Sequence, residues 1–60
     1  MTRREMIAYC VDDQIRRGIV KPENRTMQIY CRLYGRYLVK PMKKSECIKW
    51  YNEIKARAQV

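Results

Sequence analysis

Arg25, Gln28, Arg32 and Arg36 recur every three or four residues, and Lys40, Lys43 and Lys44 follow close behind them. Guanidinium and ammonium groups neutralise phosphates, and arginine and glutamine also hydrogen-bond base edges in the major groove. If residues 22–34 are helical, these arginines share one polar face with Asn24 and Gln28. Lys43 and Lys44 then stand at the start of the next helix, where outward-pointing amides already favour an anion. The expected nucleic-acid contacts are therefore Arg25, Gln28, Arg32, Arg36, Lys40, Lys43 and Lys44, with DNA preferred over RNA. The competing reading is that these charges only solvate exposed helix faces.

Aromatic residues offer a second kind of chemistry. Tyr30, Tyr34, Tyr37, Trp50 and Tyr51 are many for so short a chain. Interleaved with arginine they can stack on unpaired bases, and the same residue types are enriched at protein interfaces. Trp50 and Tyr30 are expected to fill the core in place of the absent phenylalanine, with their polar tips at the surface. Tyr34, Tyr37, Leu38 and Val39 are the interface candidates. They define a second function class: a stoichiometric protein binder, such as an inhibitor or adaptor encoded by a mobile element, whose basic, tyrosine-rich surface meets an acidic protein.

Other reactive groups point to structure. Asp12 and Asp13 are adjacent, so on a helix they diverge by about 100° and read as salt-bridge partners, not as an acid/base pair. Cys10, Cys31 and Cys47 are odd in number, form no CxxC pair and fall on apolar arcs, where a free thiol behaves as a small hydrophobe. With no histidine, neither a metal site nor an enzyme is expected, and no cofactor is called for.

These side chains need elements to hold them. Thr2-Arg-Arg-Glu5 fits a capping box, which opens a helix at Arg3. Ile7, Ala8, Cys10, Val11 and Ile15 fall on one arc of it, and Asp12–Arg16 and Asp13–Arg17 are acid-first pairs four residues apart. Gly18 suits the left-handed position after a helix, with Ile19 as its closing apolar contact. Pro22 suits the first turn of a second helix, whose apolar arc holds Met27, Ile29, Tyr30, Cys31, Leu33 and Tyr34. A third helix follows Pro41, with Cys47, Ile48, Trp50, Tyr51, Ile54 and Ala58 on one side and a Glu53–Arg57 pair on the other. Ile19-Val-Lys-Pro22 is echoed by Leu38-Val-Lys-Pro41, and both links are expected to tuck their apolar residues under the helices or to pair as a short ladder.

The fold expected is all-α, a small three-helix bundle with helices at about 3–17, 22–34 and 43–58 in one domain. The alternative is an α-β-β-α arrangement with a central hairpin at about 26–40, because Met27, Ile29, Cys31 and Leu33 also alternate. Under the helical reading, the short Gly18–Lys21 link resembles the turn of a helix-turn-helix, with the second helix as groove reader.

Sixty residues bury only ~60% of the surface of the unfolded chain, so a second copy or another partner is expected to complete the fold. The net charge is +8, and seven of those eight charges lie after residue 20. That balance points to a polyanion or an acidic protein surface. No apolar run is long enough for a membrane span or a signal peptide core, so a soluble, cytoplasmic protein is expected.

Overall fold

The computed structural model describes residues 1–36 and 38–58. Among them the order is α1 (Arg3–Arg16), a 3-10 turn (Pro22–Asn24), α2 (Arg25–Tyr34) and α3 (Lys44–Ala58). The three helices pack together as the expected bundle. Helix, not hairpin, occupies residues 25–34, and the hairpin pattern survives only as one antiparallel bridge between Arg36 and Val39. Among the described residues the two apolar links form no bridge with each other.

α1 starts where its cap dictates. The Glu5 amide donates to Thr2 Oγ1 at 3.2 Å, and the Thr2 amide donates to Glu5 Oε1 at 2.9 Å. That amide contact, with the Thr2 side-chain bond next, holds the Glu5 carboxyl below the usual carboxylate range. At the other end the Ile19 amide reaches the Gln14 carbonyl at 2.9 Å, and the Gly18 amide reaches Ile15 at 3.1 Å. This is a Schellman closure, with Gly18 at φ 76°. Ile19, expected to supply the closing apolar contact, lies opposite the polar Gln14 and stays exposed.

α1 lies between the other two helices and contacts both extensively, whereas α2 and α3 touch each other far less. Its buried arc is accordingly broad. Met6, Ile7, Cys10 and Val11 are buried, and Ala8 and Ile15 pack against the same cluster. Ile29 and Leu33 close the core from α2, and Cys47, half-buried Trp50 and half-buried Tyr51 close it from α3, with Ile54 buried on the same helix. Ile48 and Ala58, expected on the inner side of α3, are exposed, because α3 has only α1 to cover and presents a narrower stripe. Tyr9 and Tyr51 add a tilted ring contact at 4.9 Å, with the Lys55 ammonium 5.9 and 5.7 Å from the two rings.

The adjacent acids of α1 tie its two neighbours. Asp12, expected to pair with Arg16, instead takes a two-pronged bond from Arg25 of α2, Nε to Oδ1 at 2.6 Å and Nη2 to Oδ2 at 3.2 Å. Asp13 faces the other way. It keeps Arg17 at 3.7 Å, gathers Arg16 at 3.4 Å, and draws Arg57 of α3 to 3.7 Å, so that Arg57 serves α1 in place of the expected pair with Glu53. The 100° step between consecutive helical residues is what sends two neighbouring carboxylates to two different helices.

The second link is folded back on the end of α2. Gly35 has φ 76° and ψ 152°, a region open in practice only to glycine, and its amide donates to Cys31 O at 2.8 Å. Arg36 and Val39 exchange amide bonds at 3.1 and 3.0 Å, the Met42 amide reaches Arg32 O at 2.8 Å, and Arg3 Nη1 holds Met42 O at 2.6 Å. The link is thus locked at both ends while its apolar tip is left out. Leu38 and Val39 are exposed and Val20 is half-buried, contrary to the expectation that both links tuck inward. The turn geometry carries the side chains away from the core.

Two predictions follow from this framework. A Cβ at Gly35 would lie 2.8 Å from both Val39 O and Pro41 Cδ, whereas one at Gly18 meets nothing within 4 Å. Gly18→Ala should cost about 1 kcal/mol, the left-handed penalty alone. Gly35→Ala should cost ~3 kcal/mol or more, because a clash is added to a backbone region worth ~1–3 kcal/mol. Urea unfolding checks the order. The Arg25 bond also holds the Asp12 carboxyl below its ordinary range. Its stabilisation is therefore present above the unfolded aspartate value of about 3.9 and is lost as pH falls through the lower folded value. Asp12→Asn should melt lower than wild type at pH 7, and the gap should close near pH 2.

Candidate interaction surface

α2 has two apolar stripes. Ile29 and Leu33 form the inner one. Met27, Tyr30, Cys31 and Tyr34, at the i, i+3, i+4, i+7 spacing of a packing face, form the other and point away from the core. Met27, Tyr30 and Tyr34 are 48%, 50% and 60% exposed, and Cys31 is half-buried. The expectation that Tyr30 fills the core is therefore overturned. Burial favours apolar area, so two wholly aliphatic side chains take the inside while tyrosines, whose hydroxyls stay solvated, tolerate the outside. Trp50 is half-buried against the core as expected.

The inner stripe brings its polar neighbours inward with it. Arg32 lies over the Trp50 ring, with its guanidinium carbon 4.5 Å from the ring centroid, and Nη1 reaches Met42 Sδ at 3.9 Å. Its Nε is buried with no hydrogen-bond partner. This stack bridges α2 and α3 where little else does. Gln28 is half-buried, and Arg25 is held by Asp12. Of the expected groove-reading face, Arg25 is thus bonded to the first helix and Arg32 is stacked on the third, while Gln28 is half-buried.

The remaining cations fall into two places. Arg36, beyond the Gly35 turn, lies back along α2, and its Nη1 donates to Met27 Sδ at 3.1 Å. Lys40, Lys43 and Lys44 are exposed along the second link and the first residue of α3. Lys43 caps α3 by accepting from the Cys47 amide at 3.0 Å, while its own amide donates to Glu46 Oε1 at 3.4 Å. Arg32 adjoins this link through Met42, whereas Arg25 is held at the far end of α2 by Asp12.

Around Arg36 the outer stripe opens into two shallow hollows. Met27, Cys31, Arg36, Leu38 and Val39 line the first, and Glu23, Thr26, Met27, Tyr30 and Arg36 line the second. Leu38 is 99% exposed and Val39 54%. Tyr34 adds a tilted contact with Tyr30 at 5.1 Å. Of the interface candidates, Tyr34, Leu38 and Val39 are thus exposed, the last two at the first hollow, and Tyr37 lies outside the described residues. Met27, Tyr30 and Cys31 belong to the same surface but carry no signal that separates them, in sequence, from a core stripe.

The three cysteines are free. Burial, then the neighbouring Cys47, pushes the Cys10 thiol up to about 11, and burial likewise raises Cys47. Cys31 alone sits at the surface hollow. Native protein at pH 8 should give one rapidly alkylated thiol, lost in Cys31→Ser, with Cys10 and Cys47 reacting only on unfolding; mass spectrometry after timed iodoacetamide pulses reads the order.

Among the described residues there is no group of acids and cysteines that could hold a metal ion, and no helix is long and apolar enough to cross a membrane. No family model, curated protein or solved structure matches this chain.

Proposed function

We propose that the chain is a stoichiometric protein-binding module that engages its partner through the outer stripe of α2 and the exposed Leu38 and Val39. One observation carries this reading: a four-position apolar stripe with packing-face spacing is turned to solvent, and the adjoining turn adds Leu38 and Val39 beside it. Contiguous apolar surface of this kind, rimmed by polar groups, marks interaction sites on soluble proteins. Three free thiols support a reducing, cytoplasmic setting. Catalysis has no part in this reading.

The test is a photocrosslinking amino acid at position 38, in cells and in nuclease-treated extract. A discrete protein adduct that survives nuclease and disappears in a Tyr34→Glu background is expected. Absence of any adduct would overturn the reading.

A nucleic-acid reading keeps one support, the exposed Lys40, Lys43 and Lys44 with Arg36 nearby. With Arg25 and Arg32 engaged elsewhere, it predicts about four phosphate contacts and a log–log salt slope no steeper than about −4 on duplex DNA. A mobility-shift titration with no complex at low salt would dismiss it.

A further inference from the structure

α1 and α3 run in the same direction. Arg3 meets the Met42 carbonyl at 2.6 Å just ahead of α3, Tyr9 meets Tyr51 midway, and Asp13 meets Arg57 at the far end. The two helix N-termini therefore lie side by side, and so do the two C-termini. Each N-terminus carries about half a positive charge, so acidic side chains are favoured in the first turn and basic ones in the last.

The C-terminal end obeys that preference. Arg16, Arg17 and Arg57 stand in or beside the last turns and gather on Asp13. The N-terminal end goes against it. Arg3 and Arg4 open α1, Lys43 and Lys44 open α3, and Lys40 stands in the link before it. The acids of those turns, Glu5 and Glu46, accept from the backbone amides of Thr2 and Lys43, at 2.9 and 3.4 Å, and not from these cations. Among the described residues the side chains of Arg4, Lys40, Lys43 and Lys44 have no hydrogen-bond or ion-pair partner, and all four are exposed. Arg32, whose Nη1 reaches Met42 Sδ and whose buried Nε is unpartnered, brings a further cation without a carboxylate. Six cations against two carboxylates leave half of the net charge of +8 at this end. Helix electrostatics accounts for the arginines of one end and opposes the cations of the other, which the fold itself gives no use.

The make-up of the patch names the anion. Protein interfaces concentrate apolar area and are depleted in lysine, whereas here Thr2, Pro41 and Ser45 are exposed between the cations. A phosphodiester backbone asks for unpaired cations and little else. Of the residue types that read bases, Arg25 is held by Asp12 and Gln28 is half-buried, so contacts fall on phosphates and carry no sequence. We infer that the shared N-terminal end of α1 and α3 is a site for the phosphate backbone of a nucleic-acid duplex, gripped without sequence preference by Arg4, Lys40, Lys43 and Lys44. It rests on the nucleic-acid reading above, to which it gives a place and a mode, and it is separate from the protein-binding stripe of α2.

Fluorescence anisotropy of a labelled DNA duplex of about 20 base pairs, titrated with the full chain across a salt series, tests it. Four phosphate contacts should give a log–log slope of about −3.6. Arg4→Gln with Lys44→Gln should weaken binding at least ~10-fold at low salt and flatten the slope by about 2. Arg16→Gln with Arg17→Gln, an equal loss of charge at the other end, should leave the slope unchanged. Arg4→Glu with Lys44→Glu should abolish binding and yet unfold at a higher urea concentration than wild type, because an acid then stands in each first turn. No complex at low salt overturns the site and the nucleic-acid reading together. A complex indifferent to Arg4→Gln with Lys44→Gln, or weakened as much by the Arg16 and Arg17 pair, overturns the site and leaves that reading standing. A lower urea midpoint for Arg4→Glu with Lys44→Glu overturns it by showing that the cations serve the fold, and tighter retention on phosphatidylserine vesicles than on the duplex overturns it in favour of a lipid surface.

Discussion

α1 has to be buried on two sides at once, and the rest of the fold depends on that constraint. α2 and α3 make little contact with each other, so each is stable only through what it shares with α1. Met6, Ile7, Cys10 and Val11 supply the apolar part of both seams. Asp12 and Asp13 supply the directional part, one carboxylate to each neighbour. Exposed ion pairs contribute little energy on average. Their value here is orientation, since each fixes the rotation of a short helix whose apolar residues admit more than one docking.

Orientation matters most for α2. Its two stripes are both apolar enough to pack, and turning the helix by about 100°, one residue step, would bury Tyr30 and Tyr34 in place of Ile29 and Leu33. Arg25 at its start, held by Asp12, and Arg32 near its end, laid over Trp50, act together against that rotation. Two of the cations expected to read a groove, Arg25 and Arg32, thus also select which stripe of α2 stays exposed.

Much of the framework was legible in the sequence because it rests on local chemistry. Thr2 and Glu5, Gly18, Pro22, Gly35 and Pro41 mark boundaries through caps, φ angles and missing amides, and these operate without regard to tertiary context. The charge pairs were legible only in part, since Asp13–Arg17 is local whereas Asp12–Arg25 and Asp13–Arg57 depend on which helices become neighbours. The facing of α2 was not legible. Counting apolar positions favours the wider Met27–Tyr34 stripe, while the energy follows aliphatic area and the partners available to Arg25 and Arg32. Met6 escaped notice for a related reason: an arc drawn for one neighbour omits the residue that serves a second. The candidate surface thus shares only Tyr34, Leu38 and Val39 with its sequence-level expectation, along with Arg36, which serves it as a wall of both hollows.

Trp50 is the single tryptophan, and it lies under a guanidinium at the seam between α2 and α3. That seam is the weakest junction of the fold, since few other contacts cross it. The chain therefore carries an intrinsic optical gauge at the place where it would first come apart. Indole emission is set by the contact with Arg32 and by access of water, so it registers the separation of two helices that are both still formed, an event to which backbone helicity is blind.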